Sequence, residues 1–369
     1  MRAYLSVIKK HVINMFLLGE VFFFKMIRKI FFIKHRVKLV AIAKNEGAYL
    51  AEWIHHHLYF KFDSIDIYIN NTDDDTMELA LKLSKLKTVR FLDGDKYFKS
   101  NIDAPQITIY KKAFSKARRL LYSHVVFLDI DEFWCSTDFN STIKDSLSET
   151  HADVVAYEWV NKIEDRKMFE RPFQPYIVGK RALQVKVVVS TDVIIKDMNP
   201  HNITRGDYAY LLADGRKFEK ACNNFSRVDK QELSKPIKKY YILHRINRSQ
   251  KEYVASLSRG RPLSFKKTTS SFKSNRNGFG KGIENAYITI DSIKLSIYEE
   301  DLVKFISRYN LESVIISCQH FICETFAATL INIRKANKEE WDVLEKVLVG
   351  IDLEEVLDSY TTFKERWSQ

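Results

Sequence analysis

Cysteine, glycine and proline are all scarce in this 369-residue chain, which has 4 Cys, 11 Gly and 6 Pro. The cysteines form no C-x-x-C pair and follow no regular spacing, which argues against a secreted disulfide scaffold and favours a reducing compartment. So little glycine and proline excludes a collagen-like or linker-dominated architecture. The remaining composition is globular, with 46% hydrophobic and 29% charged residues, and the length allows one large core or two moderate ones.

The excess of basic residues is concentrated at the N-terminus. Lys and Arg outnumber Asp and Glu by 59 to 47. Residues 1–38 contain nine Lys or Arg residues and one Glu, so this segment alone has a net charge of +8. The rest of the chain is only mildly basic and shows no nucleic-acid recognition motif. A nucleic-acid-binding protein is therefore kept only as the non-enzymatic alternative.

Residues 12–33 are rich in apolar and aromatic side chains, but charged residues from Glu20 to Lys29 interrupt every long run. Charges in the middle of the segment argue against a spanning helix, and no small-residue cleavage site follows, as a signal peptide would need. On a helix the basic side chains share one face. The apolar side chains share another face, which comprises Phe22, Phe23, Met26, Ile27, Ile30 and Ile33. We expect residues 1–36 to form a basic, aromatic, amphipathic arm on an anionic membrane surface. Packing of this helix on the protein's own body is the alternative.

Apolar runs alternate with helical patterns through the next part of the chain, which predicts an α/β fold with a parallel sheet covered on both faces. Strands are predicted at 37–43, 64–70, 88–92, 124–128, 154–159, 183–189 and 240–244. Helices are predicted at 49–60, 77–86 and 106–122, and a helical pattern continues from residue 291 to the end. We therefore predict an arm (1–36), a main domain (37–290) and a helical C-terminal extension (291–369).

Three polar loops follow predicted strands, at residues 44–47, 70–76 and 129–132. Ligands of parallel sheets bind beyond the carboxyl ends of the strands, so we expect these loops to converge on one site. In the third loop, Asp129 and Asp131 stand two residues apart after an apolar strand and can face one hard cation. Mg²⁺ and Mn²⁺ prefer such oxygen ligands and leave positions open for phosphates. An acidic loop without a ligand is the plain alternative.

Several motifs, in order along residues 37–262, resemble those of glycosyltransferases of the family-2-like and family-92-like group, which have the GT-A nucleotide-sugar fold. They are Ala43-Lys44-Asn45-Glu46 with Glu52-Trp53-Ile54 and His57, Ile67 to Asn71 with Asp73 to Thr76, Gln106 with Tyr110, Asp129-Ile130-Asp131-Glu132-Phe133, and Tyr240 to Arg245 with Arg259-Gly260. The chain departs from the group's pattern at Asn70, where Asp is common, and at Arg245 to Ser249, where a Tyr and a Lys-Ser pair are usual.

The resemblance implies a GT-A-type, Rossmann-like mixed sheet flanked by helices and a sugar transfer from a nucleoside-diphospho-sugar, here a UDP-sugar. It implies that Asp131 ligates Mn²⁺ or Mg²⁺, with Asp129 at the metal or ribose and His244 at the metal or diphosphate. The nucleotide-sugar pocket would be lined by Asn45, Glu46, Asn71, Asp73, Gln106 and Lys186. Plain alternatives are a strand histidine for His244, a helix N-terminal acid for Glu46, a core amide for Gln106 and a solvated strand lysine for Lys186.

An inverting transfer also needs a base for the acceptor hydroxyl. Asp165, Asp214 and Glu219 are candidates by their positions after the Asp-x-Asp motif, and the sequence does not choose between them. The basic arm favours a glycan or lipid-linked acceptor near the inner face of the membrane, as in bacterial surface-polysaccharide and lipopolysaccharide assembly. Two further alternatives stay open: a haloacid-dehalogenase-like phosphatase, whose D-x-D lies near a domain start, and a non-catalytic protein with the nucleotide-sugar fold.

Overall fold

A computed structural model describes residues 2–31, 34–99, 102–163, 165–201, 203–205, 208–219, 226–258, 270–280 and 282–368. The predicted Arg259-Gly260 motif lies outside the described residues, as does Ile33 of the arm's apolar face.

Strands and helices alternate along the first half of the chain, and helices dominate its end. The strands are β1 (Val37–Ala43), β2 (Ser64–Ile69), β3 (Val89–Asp93), β4 (His124–Phe127), β5 (Glu132–Ser136), β6 (Val154–Lys162), β7 (Tyr176–Ser190), β8 (Asp197–Met198), β9 (Ile203–Arg205), β10 (Tyr210–Leu212), β11 (Tyr240–His244) and β12 (Glu284–Thr289). The helices are α1 (Arg2–Ile30), α2 (Gly47–Tyr59), α3 (Thr76–Lys82), α4 (Asp95–Phe98), α5 (Pro105–Arg119), α6 (Ile143–Thr150), α7 (Gln250–Leu257), α8 (Ser292–Arg308), α9 (Glu312–Lys335), α10 (Trp341–Val347) and α11 (Glu354–Trp367).

One mixed sheet organises the molecule, with strand order β3-β2-β1-β4-β7-β6-β11-β5. Strands β10 and β12 pair with β6 and β7, and β8 and β9 form a separate ribbon. The first four strands are parallel, as their connecting helices require. The predicted α/β class, with a Rossmann-like mixed sheet flanked by helices and a helical C-terminal extension, is confirmed.

Of the strands that the structure describes, seven have their carboxyl ends at the same edge of the sheet: β1, β2, β3, β4, β6, β10 and β11. Strands β1, β2 and β4 are parallel neighbours. Both β4 and β6 run antiparallel to β7, and β11 is parallel to β6, so β11 also ends at this edge. The predicted convergence of the loops that follow β1, β2 and β4 is therefore confirmed, and the end of β11 joins them.

Each face of the sheet has its own apolar core, because successive strand residues point to opposite faces. On one face, Leu39 and Ala41 of β1 join a core with α2 and the C-terminal helices. On the other, Val40 joins a core with Ile109 and Phe114 of α5. Residues on both sides of the predicted boundary at 290 thus share one core, and the boundary itself stays a prediction.

Helix α9 is long and apolar enough to cross a membrane by length and composition alone, the one such helix among the described residues. In the structure one of its faces is buried. The buried residues recur every three or four positions at Val314, Cys318, Ile322, Phe326, Thr329 and Ile333. This face packs against α2, α7 and α11, which is the pattern of an amphipathic core helix.

The arm is a helix, and one stripe of it contacts the body. Val21 and Arg28 are buried, with Arg28 paired to Asp192, and Glu20 Oε1 accepts a bond from Arg119 Nε of α5 at 2.9 Å. Arg28 therefore faces the protein rather than solvent. The apolar face stays open to solvent, with Phe16 74% and Phe22 71% exposed.

Candidate active site

The loops after β1 and β2 are joined by the side chain of Asn45. Its Oδ1 accepts a hydrogen bond from the Asp73 backbone N–H at 2.7 Å, and its own backbone N–H donates to Thr72 Oγ1 at 3.0 Å. Both Asn45 and Asn71 have positive φ angles, of 52° and 44°, which asparagine tolerates better than most residues. The structure thus brings the predicted nucleoside residues Asn45 and Asp73 together.

Arg248 lies behind these loops and links several predicted residues. Its guanidinium is 3.4 Å from the centre of the Tyr49 ring and 3.0 Å from Glu46 Oε2. Burial would lower the pKa of this guanidinium, but Tyr49, Glu46 and Asp131 outweigh burial and raise that pKa. Arg248 has a φ of 55°, a backbone conformation that tends to occur at functional sites.

Asp131 faces the histidine at the end of β11. His244 Nε2 is 3.5 Å from Asp131 Oδ2, and His244 Nδ1 is 3.1 Å from Asn161 Oδ1 of β6. Because Nδ1 is engaged by Asn161, Nε2 is the ring nitrogen that faces Asp131. Burial would raise the pKa of the Asp131 carboxyl, but His244 and Arg248 hold that pKa well below its usual range.

Asp129 has a different partner, the buried lysine of β7. Lys186 Nζ lies 3.0 Å from Asp129 Oδ2, 3.0 Å from Glu132 Oε2 and 3.3 Å from the Pro200 carbonyl. These contacts engage all three protons of the ammonium group. Burial would lower the pKa of Lys186, but Asp129 and Glu132 outweigh burial and raise that pKa. Lys186 therefore orients the motif, rather than offering an open cation to a phosphate.

The donors around Asp131 suit a hard divalent cation that takes its other ligands from substrate and water. Asp131 supplies carboxylate oxygen and His244 an imidazole nitrogen whose opposite nitrogen is fixed by Asn161, an arrangement found around protein-bound metals. Asp129 is engaged through one oxygen by Lys186. Across the described part of the chain, no group of three His, Cys, Asp or Glu side chains could together hold a metal. Mg²⁺ sites with bound phosphates often use one or two protein carboxylates and take their other ligands from phosphate and water.

The remaining predicted pocket residues lie beside these groups. Gln106 Nε2 donates to Tyr110 Oη at 2.9 Å, and the Tyr110 ring stacks on Phe127 at the end of β4 with ring centres 4.2 Å apart. Burial and the neighbouring charge of Asp129 raise the pKa of Tyr110. Asn71 is exposed and donates its backbone N–H to Asp95 Oδ1 at 2.5 Å.

Trp53 and His57 of α2 contact the backbone of the segment that follows Asp131. Trp53 Nε1 donates to the Glu132 carbonyl at 2.8 Å, and His57 Nε2 accepts from the Trp134 backbone N–H at 3.4 Å. Burial lowers the pKa of His57 to about 3, which keeps it neutral and able to accept. These residues thus position the segment that follows Asp131 and do not face the cleft.

Each predicted base candidate is engaged in an ion pair. Asp165 is buried and bonded to Arg245 Nη2 at 2.6 Å. Asp214 binds Arg216 Nη2 at 2.6 Å in the turn after β10. Glu219 is 69% exposed and lies 3.6 Å from Lys217 Nζ. The structure gives none of the three a contact with Asp129 or Asp131, and the identity of the base stays a prediction.

Two side chains near the motif were given no role from the sequence. The Trp159 ring lies between His244 and His201, with ring centres 4.2 and 5.1 Å away. Burial, followed by the charge of Lys186, lowers the pKa of His201 to about 4. A His in a turn and a Trp in an apolar strand carry little signal alone, and only the strand order brings them to this edge.

Comparison with known proteins gives no family assignment. No family model matches the chain, and no curated protein matches it. Solved structures that match include S. aureus TarS 1-349 with UDP, at 13% identity and TM-score 0.31 over 90% of this chain and 92% of that one. Glucosyl-3-phosphoglycerate synthase from Mycobacterium tuberculosis, with Mn²⁺, UDP and glucosyl-3-phosphoglycerate, matches at 13% identity and TM-score 0.22 over 34% of this chain and 45% of that one. A cytidylyltransferase from Leptospira borgpetersenii matches at 12% identity and TM-score 0.29 over 76% and 97%. Since every TM-score is below 0.5, the fold and site rest on this chain's own topology and contacts.

Proposed function

We propose that this protein is a glycosyltransferase that moves a hexose from a UDP-sugar to a hydroxyl of a glycan or lipid-linked acceptor, with inversion and with Mn²⁺ or Mg²⁺. One observation carries the proposal. The Asn45–Asp73 loops and the Asp131–His244 pair lie at the same edge of the sheet, and the segment after β11 is bonded to both regions. Arg248 Nη2 lies 3.0 Å from Glu46 Oε2, and the Arg245 N–H donates to the Asp131 carbonyl at 2.8 Å. A nucleoside and its diphosphate need such neighbouring sites, one for the base and ribose and one for the charge.

The residues take separate roles in this proposal. Asn45 and Asp73 bound the nucleoside, and Arg248 places a fixed positive charge between that region and Asp131. Asp131 and His244 would hold the cation, which when bound neutralises charge on the departing diphosphate. Lys186 fixes the carboxylate of Asp129 through its bond to Oδ2. The acceptor oxygen attacks the anomeric carbon on the face opposite the diphosphate. The new C–O bond forms as the bond to the diphosphate oxygen breaks, and the acceptor proton passes to a base.

A donor screen tests the proposal on the full chain. We expect UDP release from at least one UDP-sugar, stimulated by Mn²⁺ or Mg²⁺ and abolished by EDTA. Asp131→Asn should lower release by about 10²-fold or more, and the exposed Asp342→Asn of α10 should not lower it. Inorganic phosphate release from phosphomonoesters without UDP release would favour the phosphatase alternative. Tight UDP binding with no turnover on any donor would favour a non-catalytic protein.

Substitution of His244 tests whether this residue binds the metal or diphosphate or has only a structural role in β11. His244→Ala should weaken UDP binding in the presence of Mn²⁺ and lower turnover, with little change in the melting temperature of the unliganded protein. Unchanged UDP affinity with a lower melting temperature would contradict the proposed role, because His244 would then serve only its bond to Asn161.

We also propose that the arm docks the enzyme on an anionic membrane surface at the inner face of the cytoplasmic membrane. The exposed side of α1 combines large apolar side chains, Phe16, Phe22 and Phe23, with the exposed Lys29. Lys25 is also 65% exposed, although its Nζ lies 3.9 Å from Asp192 Oδ2. Apolar burial and basic charge together favour an anionic lipid surface, and each basic residue near it adds about 1 kcal/mol.

Vesicle co-sedimentation of the full chain tests the docking. We expect binding to anionic but not neutral vesicles, weakened by salt because the charges are screened. Substituting Phe16, Phe22 and Phe23 with Ser should abolish binding. The matched control substitutes Ile316 and Ile331, which are exposed on α9, with Ser. Equal binding by the arm variant and the control would overturn this proposal without touching the transferase activity.

A further inference from the structure

Helix α9 of the C-terminal extension is packed directly on the two loops assigned to the nucleoside. A Cβ added to Gly47, at the start of α2, would lie 2.3 Å from Cys318 Sγ of α9. Ser317 Oγ of the same helix donates a hydrogen bond to Asp75, in the loop after β2. The loop is itself tied to α2, since Asp74 Oδ2 accepts from the Gly47 N–H at 3.1 Å. The close approach of α9 thus depends on the absence of a side chain at position 47.

Because of this packing, α9 forms one wall of the cleft that begins at Asn45. The cleft is about 210 Å³ in volume. Its opposite wall is polar and comes from Lys44, Asn45 and Asp73. The α9 wall presents the partly buried ring of Phe321 beside Ile322, with Thr325 one turn further along. The rest of the lining comes from Tyr49 of α2, from Arg248, and from residues of α7 and just after it, which are Glu252, Ala255, Ser256 and Ser258.

The α9 wall is apolar and the loop wall is polar, and a planar heterocycle can use both kinds of surface. A nucleobase has an apolar face, which packs well on aromatic and aliphatic side chains, and a polar edge, which needs hydrogen-bonding groups. Phe321 and Ile322 supply the first kind of surface, and the loops supply the second. Thr325 Oγ1 already donates to the Phe321 carbonyl at 2.8 Å, so its side chain acts here mainly by the space that it takes.

We propose that α9 is the nucleobase wall of the donor site, with Phe321 packing on the ring and Thr325 limiting its size. This inference rests on the proposed function and deepens it. The C-terminal extension is then part of the donor site and sets which nucleotide the enzyme accepts. It adds residues that no motif of the first 262 positions contains.

The test uses the full chain, with UDP and UMP as probes and binding measured by calorimetry. Thr325→Trp fills the cleft. It should lower the affinities for UDP and UMP by the same factor, at least about tenfold, because the added ring clashes with the base that both nucleotides share. Its matched control is Thr362→Trp on α11, a threonine that makes the same kind of bond to its own helix. Phe321→Ala should weaken both probes about 3- to 10-fold through lost ring packing, whereas Phe305→Ala on α8, also partly buried, should not.

Comparison with Asp131→Asn distinguishes the proposed nucleobase region of the site from the proposed diphosphate region. That variant should weaken UDP but leave UMP nearly unchanged, because UMP lacks the second phosphate. If the UDP affinity of Thr325→Trp is within twofold of that of the unsubstituted chain, the inference is overturned and the proposed function is left intact. An unsubstituted chain that binds neither probe would overturn both. Melting temperatures of the unliganded variants, expected to match those of their controls, show that losses arise in the cleft.

Discussion

Asp129 and Asp131 are two residues apart in sequence, yet each faces a different kind of partner. Asp129 is fixed by Lys186, whose side chain is 1% exposed, and shares it with the fully buried Glu132. Asp131 faces His244, an imidazole held from its other side by Asn161. The difference comes from the sheet, because β7 supplies the lysine and β11 the histidine. One short motif thus has one carboxylate paired with a buried lysine and one carboxylate facing a histidine, and we propose that only the second serves a ligand directly.

The strongest test of this comparison substitutes each carboxylate alone. Asp131→Asn should lower kcat/KM by about 10²–10³-fold, since charge stabilisation of the leaving group is lost, with the melting temperature unchanged. Asp129→Asn should lower kcat/KM less than Asp131→Asn does. It should lower the melting temperature more, because it removes one of the carboxylates that pair with the buried Lys186. Steady-state kinetics and thermal melts of both variants check this. The reverse ranking of the two losses of activity would refute the division of roles.

The variant Lys186→Met tests the structural role of the ion pairs that Lys186 makes with Asp129 and Glu132. Removing the cation leaves Asp129 and Glu132 without their shared partner, and we expect a loss of about 3 kcal/mol in the free energy of unfolding. Urea denaturation measures it. Adding Glu132→Gln should recover part of the loss, because less buried charge then lacks a partner. Lys180→Met on the same strand, where the lysine is only half-buried, is the control and should cost far less. Equal losses at the two lysines would contradict the buried cluster.

Gly47→Ala tests the contact between the nucleoside loops and α9. The new methyl group meets Cys318 Sγ, and overpacking of this kind costs about 1–3 kcal/mol. The double variant Gly47→Ala/Cys318→Ala should recover most of that cost in a double-mutant cycle. Gly19→Ala in α1, where a Cβ meets nothing within 4 Å, should instead be neutral or stabilising. Additive costs at positions 47 and 318 would show that α9 does not approach this closely.

The strand and helix pattern was readable from the sequence up to residue 128, because βα alternation fixes both the elements and the edge where their loops meet. The Asp-x-Asp motif was readable for the same reason. The roles of Lys186 and Arg248 were not, since each depends on which strand or turn lies beside the motif. The resemblance places Lys186 in the nucleotide-sugar pocket, with a solvated strand lysine as the alternative, and it includes Arg248 only in a segment that departs from the group's pattern. The packing of α9 on Gly47 depends on contacts across more than 270 positions, which no local pattern encodes.

The smallest effect is expected at Trp53, which supports the motif from α2. Trp53→Phe keeps most of the buried ring but removes the N–H that binds the Glu132 carbonyl at 2.8 Å. A lost hydrogen bond of this kind costs about 1 kcal/mol, and slightly more when the acceptor stays buried. Because the bond fixes the backbone one residue after Asp131, turnover should fall with stability, while UMP affinity should stay the same. Trp341→Phe on α10, outside this contact, is the matched control for loss of an indole. Lower UMP affinity in Trp53→Phe, with turnover unchanged, would mean that α2 supports the nucleoside loops rather than the motif.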